Sequence, residues 1–292
     1  MYELVRAGER TSYIECPAKV GVCHAPEGEV WLIDSGNDKD AGRKIRQILD
    51  AQGWRLAGIL ITHSNADHIG GARYLQDQTK CPVFAPGIET TFTRWPILEP
   101  SFLWGGYPCK DLRHKFLMAQ GCDAVDLSDD RAPKEIEPIP LPGHFFDMVG
   151  YRAPDGVVFL ADCVSSPATL DKYGLPFLYD VGAYLATLDE VERMEAPLFV
   201  PAHAPATRDM GELVHVNRAK VHEAAERLLA ICASPLGFDR ILQEIFRGYG
   251  LKMDFAQHVL VGSTVRSYLS WLKDEGKIAA TFEDGMLLWH RA

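Results

Sequence analysis

The sequence predicts an α/β fold of stacked helical and sheet layers, with a small α+β unit at its C-terminal end. Three observations carry this. Apolar strand-like runs alternate with helical periodicities from about residue 11 to residue 203. Several of those runs stop at residues whose side chains bind metals. The last sixty residues then change style, to two amphipathic helices followed by a hairpin pattern.

The elements follow in order. YIEC, KVGVCHA and EVWLIDSG, within residues 11–36, read as short strands, with Pro26, Glu27 and Gly28 marking a hairpin. Asn37 or Asp38 caps a helix whose apolar positions are Ala41, Ile45, Ile48 and Leu49, ended by Gly53. AGILIT (57–62) is a buried strand, and the next helix begins at Ile69 or Gly70. CPVFA (81–85) is another strand. Residues 86–136 break the rhythm with Phe92, Trp95, Phe102, Trp104, Tyr107 and Phe116 among prolines and glycines, and read as an insertion. EIEPIPLPGH and GVVFLADCV are strand-like and lead to His144 and Asp162. A helix over 184–194 precedes the strand LFVPAH, which ends on His203.

A long helix spans 212–232, with Leu213, Val221, Ala224, Ala225, Leu228, Leu229 and Cys232 on one face. Beyond it, PLGFDRILQEIF and VGSTVRSYLSWLKDEG are helices, and a hairpin turns at Asp284 and Gly285. The pattern resembles a winged helix. The predicted division is therefore residues 1–210, a connecting helix at 211–233, and a winged-helix-like unit at 234–292.

A chain of 292 residues, 47% hydrophobic, can bury a full core. Its start carries no basic segment followed by an apolar stretch, and no run reaches the roughly 20 apolar residues that cross a bilayer. A cytoplasmic protein without a membrane partner is the expectation. Seven cysteines without a CxxC pair argue against a disulfide framework or a cysteine zinc knuckle. A net charge of −10 disfavours nucleic acid as a partner, because phosphate backbones are held by clustered Lys and Arg.

The chemistry concentrates in ITHSNADHIGG (61–71), where His63, Asn65, Asp67 and His68 fall within six residues. Imidazole and carboxylate are ligands for borderline metals such as zinc. A lone histidine beside a strand is more often a satisfied polar group than a ligand. Three strong donors in six residues, with His144, Asp162 and His203 at later strand ends, favour a metal site.

These segments, HSNADHIGG, LPGHFFDMVGY, FLADCV and FVPAHAP, together with the IDSG turn at 33–36, resemble the metallo-β-lactamase fold hydrolase superfamily and its glyoxalase II-like and lactamase-like members. The resemblance covers about residues 10–210. It implies a four-layer αββα sandwich with one or two zinc ions at one edge; iron and manganese fit the same donors. His63, His144 and whatever stands at 65 would hold the first metal, Asp67, His68 and His203 the second, and Asp162 would bridge. It also implies a metal-held water or hydroxide as nucleophile, oriented by the catalytic Asp67.

Asn65 stands where the family has a histidine. A neutral amide oxygen is a poorer zinc donor than imidazole, so the first position is expected to be the weak half of an asymmetric centre. Two other readings stay open: a position degenerated with loss of hydrolysis, or a hydrogen-bond donor to substrate.

The expected function is hydrolysis of an ester, thioester or lactone-type bond in a small molecule. The insertion and residues 172–184 are expected to flank the site or to pack locally, with Arg94, Lys110 and Lys115 available for an anionic group. Cys163, beside Asp162, is expected to pack in the core. The alternative is a metal-binding regulatory or DNA-binding protein that uses the winged helix. Against it, residues 234–292 carry seven Lys and Arg and seven Asp and Glu, and the candidate recognition helix offers only Arg266 and Lys273. By resemblance, the C-terminal unit would wall the active site or pair subunits in a homodimer. A ribonuclease suffers from the same acidic balance. An iron protein reducing oxygen or oxidising sulfur occurs on this fold, the former usually with a downstream flavin domain that this chain lacks.

Overall fold

The computed structural model describes residues 2–292. Its first sheet contains β1 (Glu3–Arg6), β2 (Thr11–Glu15), β3 (Val20–His24), β4 (Glu29–Ile33), β5 (Arg55–Leu60), β6 (Val83–Ala85) and β7 (Ala124–Asp126), hydrogen-bonded in that order. The first four strands are antiparallel neighbours and the last four pair in parallel. Between them lie α1 (Lys39–Ala51), α2 (Ala66–Ile69), α3 (Ala72–Thr79), α4 (Glu89–Arg94) and α5 (Leu98–Trp104).

The second sheet holds β8 (Glu137–Pro140), β9 (Val149–Arg152), β10 (Val158–Ser165) and β11 (Phe199–His203), in the order β11-β10-β9-β8. With it come α6 (Pro167–Tyr173), α7 (Val181–Arg193) and α8 (Gly211–Ile231). The chain ends with β12 (Leu236–Gly237), α9 (Phe238–Tyr249), α10 (Phe255–Asp274), β13 (Ile278–Glu283) and β14 (Met286–Arg291), whose three strands form a small antiparallel sheet.

The layering follows from strand periodicity. Successive side chains on a strand point to opposite faces, and here both faces are apolar. Tyr13, Cys23, Ile33, Leu60 and Phe84 of the first sheet pack against Tyr151, Phe159 and Val200 of the second. Their neighbours Ile14, Val22, Leu32, Ile59 and Val83 turn the other way, onto Ile45 and Leu49 of α1 and Leu75 of α3. On the far side, Val158, Leu160 and Phe199 meet α7, α8, α9 and α10. The result is helix, sheet, sheet, helix, and the apolar runs read as continuous because each strand feeds two cores. The C-terminal helices share the outer core of the second sheet, with Ile241, Val265 and Leu272 in one cluster with Leu160 and Leu228.

Several local expectations hold. Asp38 caps α1 by accepting from Ala41 N at 2.9 Å, and Gly53 follows the helix end with φ of 69°. All seven cysteines are free thiols, and Cys163 is fully buried, which pushes its thiol up to about 12. Others shift. β1 falls outside the strands that the pattern predicts, since ELVR is a half-exposed edge strand without an apolar alternation. The helix expected from Ile69 or Gly70 is preceded by the short α2, so Asp67 and His68 sit on a helical turn rather than in a loop. The insertion 86–136 contains two short helices and the edge strand β7.

The glycine pair after the motif has a steric cause. Gly71 lies so close to the IDSG turn that a Cβ there would stand 2.2 Å from the Ser35 carbonyl oxygen and 2.9 Å from Gly42 Cα. Ser35 in turn donates through both N and Oγ to the His68 carbonyl at 2.8 Å.

Candidate metal centre

Four segments converge at one edge of the sandwich. His63 follows β5, Asp67 and His68 ride on α2, and His144 lies in the loop between β8 and β9. His203 closes β11. Asp162 sits inside β10 rather than at its end: the pairing with β11 slips between Ala161 and Ser165, and Ala161 takes φ of 48°. Such a bulge re-aims a side chain at a local backbone cost of about 1 kcal/mol.

His63, His144 and Asp162 form one group of donors, and Asp67, His68, Asp162 and His203 another, with the atoms of each within 4.8 Å of one another. Asp162 belongs to both. Its Oδ1 is 2.9 Å from His68 Nε2, while its Oδ2 is 3.2 Å from His203 Nε2 and 3.5 Å from His144 Nε2. Asp67 Oδ2 lies 3.2 Å from His203 Nε2.

The tautomers are fixed from behind. His68 Nδ1 donates to Asp34 Oδ2 at 2.7 Å, His144 Nδ1 to the Phe177 carbonyl at 3.1 Å and His203 Nδ1 to the Pro17 carbonyl at 3.1 Å. Thr62 gives its hydroxyl proton to Asp34 at 2.8 Å, so its oxygen accepts from His63 Nδ1 at 3.0 Å. A neutral imidazole with its proton on Nδ1 presents a lone pair on Nε2. All four Nε2 atoms therefore face the cleft, each with a lone pair when its ring is neutral, and His63 Nε2, His68 Nε2 and Asp162 Oδ1 are buried without a hydrogen-bond partner. Once these rings are neutral, the facing acceptors fit a bound cation, and histidines anchored through the second ring nitrogen are the usual support of such sites.

The electrostatics give the alternative to a cation, a proton held on two of the rings by the carboxylates. Burial disfavours a charged His68, yet Asp162, Asp34 and Asp67 hold it well above the usual histidine range. His203 is likewise driven, against its burial, up to about 10 by Asp162 and Asp67. Burial lowers His63 and His144. Burial opposes ionisation of Asp67 and Asp162, but the surrounding histidines keep both below the ordinary carboxylate range.

Asn65 stands at the rim of the first group. Its Oδ1 is 3.1 Å from His144 Nε2, and its Nδ2 donates to Glu99 Oε1 at 2.9 Å. Asp34, Thr62, Glu89 and Glu99 are supporting residues that the sequence did not single out, although Asp34 belongs to the IDSG turn. Glu89, on α4, ties together the loops that carry His63 and His144: Ser64 N and Oγ donate to Oε2 at 2.9 and 2.5 Å, and Asp147 N donates to Oε1 at 2.9 Å.

Burial lifts Glu89 to about 7, against the pull of these three donors. Its folded value lies above the unfolded one, so its contribution to stability is complete below about pH 4.5 and is lost as pH rises through 7. The loss is of order 3 kcal/mol. Urea midpoints of wild type and Glu89→Gln between pH 5 and 8 test this: the wild type declines relative to the variant. A gap independent of pH contradicts it.

The adjoining cavity, about 320 Å³, is lined by Asn65, Asp67, His144, Asp162 and His203 at its floor and largely by apolar side chains above, including Leu175, Phe177, Leu260 and Val261. Residues of the insertion and of 172–184 both reach it. Of the three candidate cations only Lys115 lines it, and Lys115 is paired with Asp38 at 2.9 Å; Arg94 and Lys110 do not. Phe92 and Phe102 pack on Phe145 and Phe146 behind the site.

Residues 22–203 match the model of the metallo-beta-lactamase superfamily. The hydroxyacylglutathione hydrolase of Rhodopseudomonas palustris (strain BisB18) is 45% identical over 130 residues, 44% of this chain and 42% of that protein. That of Methylobacillus flagellatus is 37% identical over 71 residues, 24% of this chain and 27% of the relative. The chain thus spans less than half the length of these relatives. A solved beta-lactamase domain protein from Burkholderia ambifaria superposes with a TM-score of 0.73 at 19% identity, over 99% of this chain and 94% of that one. A metallo-beta-lactamase family protein from Thermus thermophilus gives 0.73 at 17%, over 100% and 98%. With the family model covering more than half of its length, the chain belongs to the metallo-beta-lactamase superfamily.

Proposed function

We propose that the protein is a metal-dependent hydrolase of small-molecule esters, with thioesters first among them, working through an asymmetric metal centre. The observation that carries this is the convergence of four imidazole Nε2 atoms with two carboxylates on one cleft. Zinc suits this mixture of nitrogen and oxygen donors. When bound, such a cation lowers the pKa of water and polarises a carbonyl.

The chain's own groups do the rest. Asp67, with its carboxylate held ionised at the cleft, accepts a hydrogen bond from water and so orients it. His203 and His68 fix the position of that carboxylate. The apolar wall of Leu175, Phe177, Leu260 and Val261 takes the acyl part and excludes water. The thioester preference rests on the hydroxyacylglutathione hydrolase relatives.

The position formed by Asp67, His68, His203 and Asp162 is the strong one. The position of His63 and His144 has Asn65 in place of a third imidazole and is the weak one. Elemental analysis tests this: about one zinc ion per wild-type chain is retained through dialysis, rising toward two in Asn65→His. Two tightly held ions unaffected by Asn65→Ala would sink the asymmetric reading. A screen across acyl thioesters, lactones, β-lactams and phosphodiesters fixes the bond, with His68→Ala as control; activity that survives that substitution does not come from this centre.

The order of α8, β12, α9, α10, β13 and β14 supports a winged-helix-like C-terminal unit, here as a wall of the substrate cavity. Gln257, Leu260 and Val261 of α10 line that cavity. Arg266, one of two cations on the helix that a DNA reader would insert, lies over the Phe238 ring at 3.8 Å. No helix among the described residues is long and apolar enough to cross a membrane.

A further inference from the structure

Asn65 cannot act as a ligand by composition alone. A primary amide has one oxygen and one NH₂ at its end, and a half-turn exchanges a donor lone pair for two hydrogens that repel a cation. Something must decide which end faces the cleft. Beside Asn65 stands Glu99 of α5, a carboxyl group only 5% exposed, 34 residues away in the chain. Glu99 Oε1 accepts from Asn65 Nδ2 at 2.9 Å, and this turns Asn65 Oδ1 toward His144 Nε2.

The second half of the argument is the tautomer of His144. Its Nδ1 lies 3.1 Å from the Phe177 carbonyl, which can only accept, so the proton of the neutral ring is on Nδ1. Nε2 then carries a lone pair, and 3.1 Å away it meets another acceptor, Asn65 Oδ1. Two acceptors aimed at each other are unfavourable unless a cation lies between or beside them.

We infer that Glu99 is a positioning residue, which fixes the amide of Asn65 so that its oxygen serves as a ligand of the weaker metal position. This rests on the asymmetric centre proposed above and adds to it the device that makes an amide usable there. Glu99 also lines the cavity without belonging to either donor group, so its part is to orient rather than to coordinate.

Cobalt titration of the metal-free full chain, read by visible absorption, gives the two affinities separately. Wild type should take up one tight and one weaker equivalent. In Glu99→Met, which removes the acceptor, the weaker equivalent should loosen at least about tenfold, the usual scale for losing a support behind a ligand, while the tight one stays unchanged. Glu99→Gln can keep an oxygen toward Asn65 Nδ2 and should retain the weaker equivalent within about threefold of wild type.

An unchanged weaker equivalent in Glu99→Met overturns the inference, as does a wild type that takes up only one equivalent. Equal loosening in the Met and Gln variants does the same, since it assigns the effect to charge. The pair Asn65→Asp with Glu99→Gln gives a reading should the Met variant fail to fold. An aspartate presents oxygen either way round, so the weaker equivalent should be at least as tight as in wild type, and a looser one overturns the premise that an oxygen at position 65 is a ligand, and with it the part given to Glu99. Two equal, tight equivalents surviving Asn65→Ala would instead overturn the asymmetric centre itself.

Discussion

Asp162→Ala is expected to lower kcat/KM for the best substrate of the proposed hydrolysis by a thousandfold or more, roughly the cost of losing a principal electrostatic element of an active site, and to strip the protein of tightly held metal. No other residue belongs to both donor groups. Its Oδ1 faces His68 while its Oδ2 faces His203 and His144, so a single truncation opens both positions. The chain should still fold, because the carboxylate contributes no packing to the cores on either side of β10; Leu160 and Cys163 supply that. Steady-state kinetics, elemental analysis and far-ultraviolet circular dichroism on one preparation separate these effects. A folded variant with normal metal content and activity within tenfold of wild type would refute the bridging role.

For Gly71→Ala the expected outcome is a fall in folding stability of about 3 kcal/mol or more, at the upper end for overpacking. The added methyl would meet backbone rather than side chain, at 2.2 Å from Ser35 O and 3.0 Å from Gly42 N, so no rotamer change relieves it. Relief requires separating α2 from the turn that holds Asp34, which stretches the 2.7 Å bond from His68 Nδ1. The variant should therefore lose metal affinity together with stability. Urea unfolding and metal retention measured in parallel check both, and a stability within about 1 kcal/mol of wild type would show that the turn yields more easily than this packing implies.

The sequence displays the α/β alternation and brings His63, Asp67, His68, His144, Asp162 and His203 under suspicion, because histidines and carboxylates are conspicuous and strand ends gather sites. The rest is hidden for physical reasons. The Pro17 and Phe177 carbonyls that fix two of the histidines are groups every residue owns, so no residue type announces them. Glu89 and Glu99 lie in an aromatic insertion whose acids look like solvated loop charges, yet both are buried. Asp162 reads as a strand end, since a bulge made by a slip in pairing leaves no mark in composition. The edge strand β1 is half-exposed and too short for its pattern to register.

The four anchored imidazoles bear on how quickly the centre could fill. Their protons are held by partners drawn from residues 17, 34, 62 and 177, spread over four separate stretches of chain. The ordering entropy of the rings is therefore spent during folding rather than on metal capture. Loading would then need loss of the ion's own hydration shell and of the protons that the carboxylates hold on His68 and His203, but no reorientation of the histidines: a finished socket rather than one that closes around its ion.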